Sequence, residues 1–481
     1  MRHASYGPGT SAILLAILVV VASGGCSADQ FAKDMIEEMM AEKAKELAEQ
    51  GLTIQPVKSN ANVGVGEVAE AIAPVELQYV VEGIDAPFDL VNTLYAESGW
   101  YEVNEVLIQA EQAEANEWDC ERLCRTHYNL TKVETWIPTL NETVPVDVQQ
   151  QVLDAWCEGD PENYLPYLLR GMFRTNLAWR VRGGGFASSV DVEHQLGFEA
   201  LLKDALNDLL QAYKLNPKSP HPPARLITVA MGGGLPRDMM ETYFQAAIEA
   251  RPYHLMAHKN KFLYLAPKWH GTIEDYRAFG KECSAKAKDY PLLALVSVDG
   301  LLELSRMQNR QNRNLPAYSL LKDEPIWAEV ERALSRIEDQ YPDRLRTQFD
   351  WAYLASKSKR YEIALSHFHR IDDRWLPDTL WDSEQEYREA RSLACVSVAH
   401  RLIADSAFDQ AEALAFEALR FNAEKAAAYL QLSYIAGSGR QDFAAAKRFS
   451  ELALAEQPND EQAKAARQYI ELANHRLGAT Q

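Results

Sequence analysis

Apolar side chains recur at helical spacing over most of the chain, and stretches that alternate between apolar and polar positions are nearly absent. Apolar residues at i, i+3, i+4 and i+7 line one face of a helix, whereas a half-buried strand needs a period of two, with Val, Ile or Thr prominent. The pattern therefore predicts an all-α protein.

One helical pattern returns at a fixed interval. In each copy, small and large apolar residues alternate along one face of the helix, and a proline or an aromatic residue ends the copy. Two of these final prolines, Pro217 and Pro252, are 35 residues apart. An interval of about 34 residues with two helices per unit resembles the tetratricopeptide repeat and implies a solenoid of stacked helical hairpins. The copies are Ala205–Pro217, Met240–Pro252, Ala411–Phe421 and Ala446–Pro458, with a weaker one over Ala352–Phe368.

The first residues predict export. Arg2 and His3 precede the apolar run Ala12–Ala22, which is too short for a stable membrane-spanning helix but suits the core of a signal peptide. Small residues before Cys26 resemble the lipobox of bacterial lipoproteins, which implies that Cys26 is lipidated and begins the mature chain. Ser23 stands where that motif usually has leucine, so a plain cleaved secretory signal is the alternative.

Changes in pattern divide the chain into four segments. Residues 1–25 are the predicted signal peptide, and 26–76 form a helix followed by a flexible tether, because 52–75 has no clear period and few aromatic residues. Residues 77–300 form a helical domain with tetratricopeptide-like hairpins, and 301–475 hold the C-terminal repeats.

A longer segment, from about Phe88 to Pro291, resembles a bacterial helical family of unknown function that often accompanies tetratricopeptide repeats. The family carries no known activity, so the resemblance implies a helical fold and no particular site. The likeness rests on Tyr167–Gly171, Ala178–Gly184, Ala205–Pro217 and Pro267–Gly271.

The formal charge of −20 disfavours nucleic acid and anionic lipid surfaces as electrostatic partners. Between Glu97 and Glu162 there are 15 acidic and 3 basic residues, interleaved with tryptophan and tyrosine. This segment is either a solvated acidic face over an aromatic core or a docking surface for a basic partner or divalent cations.

Two groups of residues are candidates for ligand binding. Trp179, Arg180, Arg182 and Gly183 open a glycine-rich segment that could hold an anion between guanidinium groups and backbone N–H groups. Trp269 and His270 follow Pro267 at a second turn. The alternative is that both groups are turns between helices, with the tryptophans packed and the arginines paired with nearby carboxylates.

Cys120, Cys124 and His127 share one stripe of a predicted helix. They are the only candidate metal ligands, but a structural zinc site needs four ligands, so we expect no metal and no cofactor. The alternative is two half-buried cysteines, one of them paired with Cys157.

Together these features predict a protein that is not an enzyme. We expect a scaffold in the cell envelope, tethered to a membrane through a lipid on Cys26, that binds a protein or peptide on its helical-repeat surface. The alternative function is an envelope enzyme or a receptor for an anionic ligand, with its site near Arg180–Gly185.

Overall fold

The computed structural model describes residues 74–80, 83, 87–95, 99–137, 142–183, 191–311 and 318–479. The predicted signal peptide, Cys26 and nearly all of the predicted tether lie outside the described residues, as do Gly184 and Gly185. The described residues all fall within one compact unit. None of the described helices has the length and apolar content that a membrane crossing requires.

The described residues contain nineteen α-helices, and short polar side chains begin many of them by capping backbone N–H groups. The first nine helices are α1 (Pro87–Tyr95), α2 (Trp100–Ala113), α3 (Glu117–Thr131), α4 (Val146–Gly159), α5 (Tyr164–Arg182), α6 (Val192–Leu215), α7 (His221–Gly232), α8 (Arg237–Ala250) and α9 (Leu255–Tyr264). The next five are α10 (Ile273–Lys286), α11 (Ala294–Gln311), α12 (Glu324–Gln340), α13 (Leu345–Lys357) and α14 (Tyr361–Ile371). The last five are α15 (Glu384–Ala404), α16 (Phe408–Arg420), α17 (Lys425–Tyr434), α18 (Phe443–Ala455) and α19 (Asp460–Ala479).

From α5 onward, successive helices pack as hairpins, which confirms the predicted all-α repeat fold. The copies found in the sequence are the second helices α6, α8, α16 and α18, and their alternating small and large apolar residues are buried. On α6, Leu209 is fully buried between Ala205 and Ala212, and burying such a leucine contributes about 2 kcal/mol. Helix α11 runs across residue 300, where the sequence analysis divides the chain.

Four two-residue strands form two small ladders. Strand β1 (Gln78–Tyr79) pairs in parallel with β4 (Arg374–Trp375), and β2 (Trp136–Ile137) pairs antiparallel with β3 (Glu142–Thr143).

The segment 74–80, which contains β1, is docked on the C-terminal hairpins. Its N–H groups donate to three carbonyl oxygens there: Val75 N to Arg420 O at 2.8 Å, Gln78 N to Asp373 O at 2.7 Å and Val80 N to Trp375 O at 2.8 Å. The Val75 side chain is buried in the largest core cluster. Residues 74–76, which lie within the predicted tether, therefore belong to the folded body.

The end of α2 and the whole of α3 lie across the starts of several repeat helices. Glu111 lies beside the first residues of α5 and α7, Glu117 beside the start of α11 and Glu121 beside the start of α13. Because free N–H groups give a helix start a partial positive charge, these starts favour carboxylates and thiolates. The position of α3 thus brings its side chains against several helix starts.

Candidate functional site

Two cysteines and two histidines converge where α3 meets the starts of α7 and α9. Cys120 and Cys124 are one turn apart on α3, His221 is the first residue of α7, and His254 is the N-cap of α9. Cys120, His221 and His254 are buried, whereas Cys124 is partly exposed. The group is thus largely enclosed.

The distances between these side chains are short. Cys124 Sγ lies 3.6 Å from His221 Nδ1 and 3.6 Å from His254 Nε2, and the two ring nitrogens are 3.1 Å apart. Cys120, Cys124 and His254 place one potential ligand atom each within 4.8 Å of one another. Cys120, Cys124 and His254 could therefore hold a metal ion, and His221 lies beside them.

The electrostatic environment favours a thiolate on Cys124. The hydrogen bond from Cys120 and the charges of His254 and His221 hold the pKa of Cys124 well below its usual range, although burial opposes the charge. The same hydrogen bond and burial raise the pKa of Cys120. Burial lowers the pKa of His221, but the Cys124 thiolate outweighs burial and raises it to about 9.

The predicted third ligand, His127, is outside this group. Its ring meets that of His221 edge-on, with 4.8 Å between centroids, and burial followed by the charge of His221 lowers the pKa of His127 to about 3. The prediction that His127 is the third ligand is therefore wrong. His254, from a neighbouring hairpin, lies beside the two cysteines instead.

The alternative of a disulfide between Cys157 and Cys120 or Cys124 does not match the structure. All five cysteines in the described residues are free thiols. Cys157 lies on α4, where burial raises the pKa of its thiol to about 12, and it makes no bond with Cys120 or Cys124.

Several carboxylates of the acidic segment contact groups of this chain. Glu114 Oε1 accepts from Arg251 Nε at 2.9 Å, Glu117 Oε1 accepts from Leu292 N at 2.9 Å, and Glu121 forms a two-pronged ion pair with Arg344 at 2.8 and 2.9 Å. These acids are internal contacts of the fold. They therefore belong neither to a solvated acidic face nor to an external docking surface.

The opposite face of α2 remains exposed. Tyr101, Glu102, Glu105 and Val106 are accessible to solvent, and the Tyr101 ring stacks on Trp100 with 3.9 Å between centroids. This exposed α2 face combines negative charge with aromatic surface.

Part of the predicted ligand group does come together, as a packing cluster. The Trp179 and Trp269 rings meet edge-on with centroids 5.4 Å apart, and Arg182 Cζ lies 5.6 and 5.5 Å from these two rings. Arg180 points elsewhere and pairs with Glu134 at 2.8 Å. Gly183 ends α5 with φ of 73°, a conformation that glycine adopts without strain.

His270 has a structural contact as well. Its Nε2 lies 2.8 Å from Met231 O, which ties the turn after α9 to the end of α7. The next residue, Gly271, passes so close to Leu265 that a Cβ atom would lie 2.7 Å from the Leu265 Cα atom. The Trp-His-Gly sequence is thus explained by the packing of this turn.

Sequence reasoning missed His221 and His254, although a signal was present. They are 33 residues apart, close to one repeat period, and each stands at the start of a first helix. Equivalent positions of adjacent repeats lie side by side in a solenoid, so this spacing predicts that the two rings meet. The proximity of Cys124 could not be predicted, because α3 lies outside the repeats.

The comparisons with known proteins assign no function to this chain. No curated protein matches the sequence. A structure of the human IFIT1 dimer with m7Gppp-AAAA matches with a TM-score of 0.29 and 13% identity, over 85% of this chain and 94% of that chain. A human IFIT1 dimer with PPP-AAAA gives a TM-score of 0.28 and 13% identity, over 80% and 81%. With TM-scores this low, nothing is transferred from IFIT1 to this protein.

One family model matches part of the chain. The match begins in α1 and ends in α8, so it includes Cys120, Cys124 and His221 but not His254. The resemblance inferred from the sequence reaches Pro291, and its last motif, Pro267–Gly271, lies beyond the match. Residues 89–242 are similar to a domain of unknown function, DUF4034.

Proposed function

We propose that this protein is a helical-repeat scaffold of the cell envelope that is anchored through a lipid on Cys26, binds a protein or peptide partner and catalyses no reaction. The observation that carries the proposal is the docking of residues 74–80. These repeats already hold an extended segment through three backbone hydrogen bonds and a buried valine. Binding of this kind depends on main-chain groups and pockets for single side chains, and it suits a peptide partner.

The partner we favour is basic and binds the exposed α2 face. Negative charge beside exposed aromatic rings attracts a positively charged surface and gives it apolar area to cover. The same negative charge repels phosphate groups, so we propose that nucleic acid is not a partner.

Charge reversal on this face tests the partner proposal. The variant Glu102→Lys/Glu105→Lys should weaken binding of a partner, recovered by crosslinking in the native envelope, by about tenfold at low salt. The matched control is Asp460→Lys/Glu461→Lys, which reverses two exposed acids at the start of α19. Equal loss in both variants, or binding that does not weaken in salt, would contradict the proposal.

The lipid anchor is tested separately. The variant Cys26→Ser lacks the thiol that would carry the lipid, so the protein should move from the membrane fraction to the soluble fraction on sedimentation. The matched control, Cys283→Ser, changes a buried cysteine of α10 and should stay with the membrane. Retention of Cys26→Ser in the membrane would refute the anchor. With the anchor in place, the chain before Pro74 could extend at most about 160 Å from the membrane.

A further inference from the structure

We propose that Cys120, Cys124, His221 and His254 bind one Zn²⁺ ion. The four residues come from three separate parts of the chain: helix α3, the start of α7 and the N-cap of α9. Two thiolates and two imidazoles are a common ligand set of structural zinc, and tetrahedral sulfur and nitrogen donors select zinc over magnesium or calcium.

The distances agree with a tetrahedral ion. Zinc bonds of about 2.3 Å to sulfur and about 2.0–2.1 Å to nitrogen put ligand atoms about 3.5 Å apart for a sulfur–nitrogen pair and about 3.3 Å apart for a nitrogen pair. The corresponding distances here are 3.6 Å from Cys124 Sγ to each histidine and 3.1 Å between the two histidines. His221 is next to Cys124 and His254, and it must move closer to Cys120 for all four residues to share one ion.

The surroundings of His221 suit a metal ligand. Its Nδ1 atom faces Cys124 and His254, while its Nε2 atom is buried without a hydrogen bond and lies 3.9 Å from Glu111 Oε1. A histidine that binds zinc through one nitrogen usually donates its other N–H to a carboxylate, which fixes the ring. Glu111 is in position to be this carboxylate and to act as a positioning residue.

His254 must change both its tautomer and its ring orientation to bind zinc. Its Nδ1 atom accepts a hydrogen bond from Ala257 N at 3.1 Å, so the neutral ring carries its proton on Nε2. Binding zinc through Nε2 moves that proton to Nδ1, and the ring must turn away from the Ala257 N–H group. Ala257 N keeps an acceptor during this change, because His254 O also lies 3.1 Å away.

A zinc ion would join elements that are far apart in the sequence. Helix α3 precedes the repeats, whereas His221 and His254 begin helices of two successive hairpins. We infer that the ion is structural, since four protein ligands leave no open coordination position for a substrate.

Metal analysis of the purified full-length chain tests this proposal. We expect one zinc ion per chain after purification from zinc-supplemented medium, and loss of that zinc in the double variant Cys120→Ser/Cys124→Ser. The matched control is Cys157→Ser/Cys283→Ser, which changes two buried cysteines outside the group and should keep its zinc. Glu111→Gln should keep the ion but bind it about 10- to 100-fold more weakly against a competing chelator.

Cobalt gives a second measurement that does not depend on whether a variant folds. Replacing zinc with Co²⁺ in the wild-type chain should produce the strong visible absorption of a tetrahedral ion and a thiolate-to-cobalt band in the near ultraviolet. A wild-type chain without zinc, a weak octahedral cobalt spectrum, or a Cys120–Cys124 disulfide in the purified protein would each overturn the proposal. None of these outcomes would affect the proposed binding of a partner at the α2 face.

Discussion

Replacing Arg344 with methionine should lower the free energy of unfolding by about 3 kcal/mol, because the buried Glu121 carboxylate loses its bidentate partner and keeps only a longer ion pair with Arg125 at 3.5 Å. Arg344 is 1% exposed and bonds both oxygens of Glu121 at 2.8 and 2.9 Å, as well as Thr347 Oγ1 at 2.9 Å. Burial opposes the charge of Glu121, but Arg344 outweighs burial and holds the pKa of that carboxyl well below its usual range. Urea denaturation followed by circular dichroism measures the loss.

Arg440 provides a matched control on the surface. Arg440 pairs with Asp409 and Glu412, but its side chain is 44% exposed. Because exposed ion pairs are screened by water, Arg440→Met should cost less than about 1 kcal/mol. The double variant Glu121→Gln/Arg344→Met should recover part of the loss, since it removes the buried charge. If Arg344→Met costs no more than Arg440→Met, the buried pair does not hold α3 to the repeats.

Replacing Glu117 with glutamine should stabilise the protein above pH 7 and have little effect below pH 4.5. Burial raises the pKa of Glu117 from 4.5 to about 7, although the bond from Leu292 N opposes this change. The folded state therefore binds the proton more tightly than the unfolded state, and the charge costs stability as pH rises from 4.5 to 7. The difference reaches at most about 3 kcal/mol above pH 7.

Thermal unfolding of both proteins at pH 4.5, 6 and 8 checks this expectation. Glutamine keeps an oxygen that can accept from Leu292 N, so the variant removes the charge and preserves the contact. The control is Glu274→Gln, which removes an exposed carboxylate from the first turn of α10 and should lower stability slightly, because charge is favourable there. A gain from Glu117→Gln that does not grow with pH would contradict the assignment.

The repeats could be predicted because their signal is local and redundant. Leu209 and its small neighbours on α6 have equivalents one period later on α8, and each helix needs the same buried face to stack on its neighbour. The hydrophobic periodicity of the sequence reveals such faces directly. It cannot reveal that residues 74–80 pack on helices near the other end of the chain, because a strand of two residues is too short to show a hydrophobic period.

The candidate metal group was only partly predictable for a related reason. The spacing of Cys120 and Cys124 places both on one face of α3, and that part of the prediction holds. His127 follows on the same stripe, but one turn further along the helix it meets the ring of His221. Contacts between distant residues decide which face of α3 is buried and which helix starts it meets. Glu121 and Arg344, for example, are 223 residues apart in the sequence.

The pairing of β1 with β4 has a consequence for how the chain folds. A solenoid whose repeats touch only their neighbours can begin folding at any repeat and lose its ends one at a time. Here Gln78 pairs with Arg374, so the segment that contains β1 has no partner until most of the chain has been made. Long loops of this kind slow folding, and the first elements should acquire their final contacts last. Once formed, these contacts link the two ends of the folded body, and we expect it to unfold in a single cooperative step.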